Sequence, residues 1–220
     1  WKDYFGGTGQ MTQALRNNEI DMAVILTEGI IKDISEGNPS KIVQVFVESP
    51  LIWGIHVAND SSFKQLSELK GQRAAISRYG SGSHLMAYVN ALHLDWNPTT
   101  DLQFEVVKNL DGAVDALSQR EADYFMWEKF TTKPLVDQKK FRRLGECPTP
   151  WPCFVIAVRD EFILNEKETL QSILKIINTI TADFKQIPEI DAIISERYQQ
   201  KNEDVKAWLE LTEWSQETLK

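Results

Sequence analysis

The chain has 220 residues, enough for one large domain or for two smaller lobes that each bury a core. Its 42% hydrophobic and 25% charged content is that of an ordinary soluble globular protein, and its longest apolar runs, FVIAV and MAVIL, fall far short of the roughly 18 residues of a membrane span, which excludes an integral membrane protein. With 24 basic against 32 acidic side chains the net charge is −8, a field that repels phosphate backbones and argues against nucleic acid as a partner.

In chain order, WKDYF reads as the end of a strand. It carries neither a start methionine nor a basic-then-apolar leader, so the expectation is a trimmed chain whose compartment is undecided. YFGGTGQMTQAL then passes through glycines into an amphipathic helix, and Met22–Leu26 is a strand that runs out into Thr27 and Glu28. Ile42–Val47 and Leu51–Val57 follow as strands. Arg73–Ser77 is a strand entering Gly80-Ser81-Gly82-Ser83 and leaving at once as a second amphipathic helix. Phe104–Val107, Tyr124–Trp127 and Phe154–Val158 complete the strand set, while Pro148, Pro150 and Pro152 forbid a regular central strand between Cys147 and Val158. From Lys167 onward apolar residues recur at helical spacing through Leu170–Phe184, Ile190–Tyr198 and Val205–Thr212, which predicts three helices that cover a sheet and carry no chemistry. Strands alternating with helices imply an α/β fold with mixed, mostly parallel sheets flanked by helices.

A weak internal repeat organises this order. ALRNNEIDMAVIL (Ala14–Leu26) and ALSQREADYFMWE (Ala116–Glu128) both read as helix end, turn and strand. The repeat implies two lobes built alike, expected as residues 1–52 with 154–220 and residues 53–153. The chain would leave the first lobe near Ser49–Val57 and return through Cys147–Val158.

A helix that begins directly after a strand presents unpaired N–H groups and partial positive charge, a place for an anion or a polar ligand atom. Gly7, Thr8 and Gly9 in the first turn, and Ser81, Gly82 and Ser83 in the second, supply close backbone approach and capping hydroxyls. Either turn alone also reads as a plain helix cap; one in each lobe points to a shared cleft. GxxxxGK[ST] is absent, and Leu85 or Thr12 stands where the third glycine of GxGxxG belongs, which excludes NAD and ATP; no cofactor is expected. Glu28 and Glu128 lie at strand ends, where a carboxylate serves either a structural network or recognition. Trp127 and Trp151, with Trp53 on a crossing segment, suit a flat or cationic ligand. His84 can donate to a ligand, yet it points about 100° from Ser83 on a helix, a poor nucleophile–base pair. Arg78 either clamps an anion or pairs with a surface carboxylate. Three scattered histidines give no metal site, and Cys147 and Cys153 form either a strained local disulfide or, the preferred reading, two free thiols.

Taken in order, GGTGQMTQALRNNEIDMAVILTEG, SRYGSGSHLMAY, ADYFMWEKF and TPWPCFVIAV resemble the type II periplasmic binding proteins of the nitrate/sulfonate/thiamine-precursor class, and a soluble fungal branch that shares their fold. The resemblance spans nearly the whole chain. It implies two α/β lobes joined by hinge strands, closing on a small-molecule ligand in the inter-lobe cleft. It places Gly7, Thr8, Gly9, Thr27, Glu28, Ser81, Gly82, Ser83, His84, Trp127 and Glu128 on the cleft walls. The expected protein is a monomeric solute-binding component, partnered by an ABC permease, for a small organic anion, sulfonate or thiamine-precursor-like heterocycle. It would be periplasmic in a bacterium and cytoplasmic in the fungal branch. Two other readings stand beside it: an enzyme of thiamine-pyrimidine synthesis, whose cysteine-rich motif this chain does not match, and the effector lobe of a transcription regulator.

Overall fold

A computed structural model describes residues 1–4 and 6–217. The chain divides into two compact units, Trp1–Pro50 with Pro150–Lys220, and Leu51–Thr149. In chain order the elements are α1 (Gly7–Arg16), β1 (Met22–Leu26), α2 (Thr27–Ser35), β2 (Ser40–Val47), β3 (Ile52–Ala58), β4 (Arg73–Ile76), α3 (Gly82–His93), β5 (Gln103–Val106), α4 (Leu110–Ser118), β6 (Tyr124–Glu128), α5 (Lys133–Asp137), β7 (Phe141–Pro148), β8 (Phe154–Arg159), α6 (Asp160–Asn165), α7 (Lys167–Asp183), α8 (Ile190–Tyr198) and α9 (Asn202–Leu211). No helix among the described residues is long and apolar enough to cross a membrane.

The first unit is built on the sheet β1-β8-β2. Strand side chains alternate between faces, and both faces here are apolar. Ala23 and Ile25 of β1, with Val155 and Ala157 of β8, pack under Leu15 of α1 and Ile30 of α2. Met22 and Val24, with Ile156 and Val158, meet Leu170 and Leu174 of α7 and Phe162 of α6 on the opposite side. Each fully buried aliphatic side chain of this kind contributes roughly 1.5–3 kcal/mol. Of the three C-terminal helices predicted to cover a sheet, α7 does so. α8 has no buried residue and packs against α9, which buries Val205 and Leu209.

The second unit is built on the sheet β5-β4-β6-β3-β7. Ala113, Ala116 and Leu117 of α4 seal one face over Ala75 and Phe125. On β4, β6 and β7 sits α3, which buries Met86, Ala87, Val89 and Ala91.

The sheets are mixed. β5, β4 and β6 pair in parallel, but β3 runs antiparallel to both β6 and β7, and β8 antiparallel to both β1 and β2. Strands therefore point mostly one way, whereas the pairings are mostly antiparallel. The reversed strand in each unit is the first one formed after the chain crosses over, β3 after Pro50 and β8 after Pro152, and each inserts between two strands of the other direction. Trp1–Tyr4 form no strand, in contrast to the sequence expectation. FRRLGECP, not expected as a strand, is β7. It pairs with β3 alone, and an edge position tolerates its two arginines and terminal proline.

Candidate functional site

In the first unit the residues around the end of β1 converge. Leu26 pairs with Phe154 in antiparallel register, so the segment that leads into β8 lies beside the point where β1 leaves the sheet. The helix α2 begins there without a linker. Thr27 is buried, and its hydroxyl donates to the carbonyls of Pro152 at 2.5 Å and Cys153 at 3.2 Å. Thr27 thus pins the strand end to the incoming segment. The Trp151 indole N–H donates to Glu28 Oε2 at 3.0 Å. Glu28 Oε1 is sealed from solvent and has no hydrogen-bond partner among the described residues. Burial pushes the Glu28 carboxyl above the usual carboxylate range, against the opposing effect of its own backbone N–H and of the Trp151 indole.

α1 presents its own N-terminus to the same place. Gly6 caps it by donating to Gln10 Oε1 at 2.9 Å, and Gly7 adopts a left-handed φ of +64°, which favours glycine. Thr8 does not cap the helix with its side chain. Its methyl lies so close to Gly29 that a β-carbon there would overlap it, so Gly29 is what lets the first turns of α1 and α2 touch. Gly9 accepts from the Thr12 hydroxyl at 3.0 Å. Thr8, Thr27, Glu28 and Trp151 thus lie in one local cluster, with Gly29 as a member that sequence reading passed over, while Gly7 and Gly9 flank Thr8 on α1.

In the second unit β4 and β6 are parallel neighbours, so the turn after Ile76 and the Trp127–Glu128 end leave the sheet on one side. Gly80 has φ +75°, and its N–H donates to His84 Nδ1 at 3.0 Å. Ser81 is the helix cap, its hydroxyl accepting from the His84 amide at 3.3 Å. Ser83 Oγ accepts from the Ser77 amide at 3.0 Å and lies 3.0 Å from Ser81 Oγ. Both hydroxyls are buried and turned into the loop's own bonding. Gly82 opens the helix, where the first amides lack intrahelical acceptors. Desolvation lowers the His84 pKa, favouring the neutral ring, which packs edge-on to Tyr79, Tyr88 and Phe104 at centroid distances of 4.7–5.2 Å. Arg78 is exposed and has no side-chain partner among the described residues.

Glu128 is engaged locally: Oε1 accepts from the Phe130 amide at 2.9 Å, and Oε2 from the Thr131 amide at 2.6 Å and hydroxyl at 2.7 Å. Trp127 packs against the α4 core. Trp53, opposite Glu128 in the β3–β6 register, is 6% exposed, and its indole N–H has no acceptor among the described residues. The sequence places Trp53 on a crossing segment but gives no sign that its N–H is left free.

Deeper in this unit His56 is fully buried, stacked on Phe125 at 4.7 Å and edge-on to Phe141 at 4.8 Å. Its Nε2 lies 3.0 Å from Thr132 Oγ1 and 3.5 Å from Arg143 Nε. A β-carbon at Gly54 would sit 2.6 Å from the ring, so Gly54 makes room for it. Burial, then the nearby guanidinium, push the His56 pKa down to about 3. Both cysteines are buried and neither is in a disulfide among the described residues, and burial raises the Cys147 thiol to about 11. No group of three His, Cys, Asp or Glu among the described residues is placed to hold a metal ion. An open groove of about 560 Å³ runs along α7 past Lys175, Asn178 and Gln216, and no predicted site residue lines it.

Residues 53–147 match the family model described as Ca3427-like PBP. The structure is similar to the Candida albicans CA3427 gene product, described as defining a new family of proteins with the generic periplasmic binding protein fold. The TM-score is 0.87 at 28% identity, covering 96% of this chain and 70% of that one. It is also similar to the periplasmic aliphatic sulphonate binding protein SsuA of Escherichia coli, with TM-score 0.71 at 18% identity over 95% of this chain and 68% of that one. The alkanesulfonate-binding SsuA of Xanthomonas axonopodis pv. citri, bound to MOPS, gives TM-score 0.79 at 15% identity over 95% and 72% of the two chains. No curated protein matches the chain.

Proposed function

Because the chain has the type II periplasmic-binding-protein fold of the SsuA-like class, a fold of solute-binding proteins, we propose that it binds a small organic molecule at the strand-end turn that follows β1. The observation that carries this reading is the cluster at the end of β1. There a desolvated carboxylate and an indole meet where the first turns of α1 and α2 touch. In the second unit the Gly80–Ser83 turn and the Trp127–Glu128 end leave the sheet on the same side, at the ends of the parallel neighbours β4 and β6. Service to an ABC permease is the partner role we propose, and small heterocycles and amino-sulfonates are the ligand classes we propose for it.

The test joins native mass spectrometry of gently purified protein to a thermal-shift screen of sulfonates, pyrimidines and amines. A ligand present at 100 times its dissociation constant adds about 2.7 kcal/mol of stability. Absence of any co-purifying small molecule, together with no melting shift at millimolar concentration, would refute small-molecule binding.

A further inference from the structure

We propose that Glu28 is the recognition group for a basic, N–H-bearing nitrogen of the ligand, so that the molecule bound is cationic or zwitterionic, an ammonium, amidinium or amino-heterocycle, rather than a plain anion. This rests on the small-molecule reading above and names its substrate class. The neighbours of Glu28 are already committed. Thr27 is spent on the Pro152 and Cys153 carbonyls, Gly29 packs on the Thr8 methyl, and the Trp151 N–H holds one carboxylate oxygen. What is left is Oε1, an acceptor out of contact with water that makes no full hydrogen bond among the described residues, with Glu28's own backbone N–H the other group acting on the carboxylate. A buried acceptor in that state is destabilising until a donor reaches it.

The charge of that donor follows from electrostatics. A carboxylate that burial already disfavours would be disfavoured further by a sulfonate alongside it, and stabilised by a cation. The helix N-terminus that would otherwise attract an anion has Glu28 itself in its first turn, which offsets the partial positive charge. The Trp151 ring beside the carboxylate suits a flat cation, and the net charge of −8 raises the local concentration of cations over anions. The sulfonate-binding neighbours share the fold at 18% and 15% identity, which leaves the ligand class to the residues of this chain.

The experiment titrates the full chain at pH 7.5 with two matched pairs, benzamidine against benzoate and taurine against ethanesulfonate, using isothermal titration calorimetry on wild type, Glu28→Gln and Glu28→Asp. Gln keeps an oxygen for the Trp151 N–H, and Asp keeps the charge; far-UV circular dichroism confirms that each variant folds. The expected result is that the nitrogen-bearing member of at least one pair binds tenfold or more tighter than its partner. Glu28→Gln should abolish that preference, and Glu28→Asp should restore part of it. If the anions bind as well as the nitrogen bases and Glu28→Gln changes neither, the role of Glu28 is overturned while small-molecule binding stands. If none of the four probes gives heat and nothing co-purifies with the protein, small-molecule binding falls and this assignment falls with it.

Discussion

Acid should destabilise the protein through His56, by an amount that follows from its position. The ring is 0% exposed, is clamped between Phe125 and Phe141, and meets Thr132 and Arg143 at Nε2. A proton there must enter a desolvated site beside a guanidinium, so the folded pKa is about 3 against 6.5 for a free histidine. The native state therefore excludes a proton that the unfolded chain accepts. The contribution is fully present above about pH 6.5, and it is lost as pH falls from there toward 3. One pKa unit is worth about 1.4 kcal/mol, so the full loss is about 5 kcal/mol, and about half of it is already gone at pH 4.5. Urea unfolding followed by tryptophan fluorescence at pH 7.5, 6.0 and 4.5 measures this when wild type is compared with His56→Leu. That variant costs stability at every pH, because it breaks the Thr132 contact and the ring packing, but it carries no titrating group. Glu28 titrates in the opposite direction, since its buried carboxylate becomes less unfavourable when protonated, and this is common to both proteins and cancels. The gap between wild type and variant should narrow by about 2–3 kcal/mol from pH 7.5 to 4.5. An unchanged gap, or an NMR resonance of His56 that titrates near pH 6.5 in the folded protein, would refute the reasoning.

Three further outcomes follow from the packing. Gly29→Ala should lower stability by roughly 1–3 kcal/mol, because its β-carbon would overlap the Thr8 methyl, and adding Thr8→Ser should recover most of it; urea titration of the single and double variants decides. Asn109→Ala should cost about 1 kcal/mol in the same assay, since the Asn109 side chain caps α4 by accepting from the Gly112 amide at 2.9 Å. Cys147, with its thiol raised to about 11, should react with iodoacetamide at pH 7.5 on the order of 100-fold more slowly than an open thiol, and at the ordinary rate in urea, as read by peptide mass spectrometry.

The strands were legible because apolar, β-branched runs such as Met22–Leu26 and Phe154–Val158 bury both faces, and burial on both faces leaves a continuous signal in the chain. β7 was not, because an edge strand bonded on one side accepts Arg142, Arg143 and Pro148, which read as loop. Strand direction was only half legible. Alternation of strands and helices predicts parallel neighbours, but nothing local in IWGIHVA or FVIAVR says that these two strands enter their sheets against the others.

At the candidate site the residue types were legible, but their availability was not, and availability decides chemistry. Ser81, Ser83 and Glu128 look in sequence like groups free to meet a ligand, whereas each places its oxygens on neighbours within six residues along the chain. Such short-range bonds cost little entropy to close, so a serine-rich glycine turn satisfies itself unless something competes. Glu28 differs because its partner Trp151 lies 123 residues away, a contact that no local pattern encodes, and that contact uses only one of its two oxygens. The same two glutamates, each following a strand in a repeated sequence pattern, thus end in opposite states. Glu128 is saturated by its own turn, and Glu28 is held half-satisfied by a distant indole; the second arrangement is the one that leaves a bond for a ligand to complete.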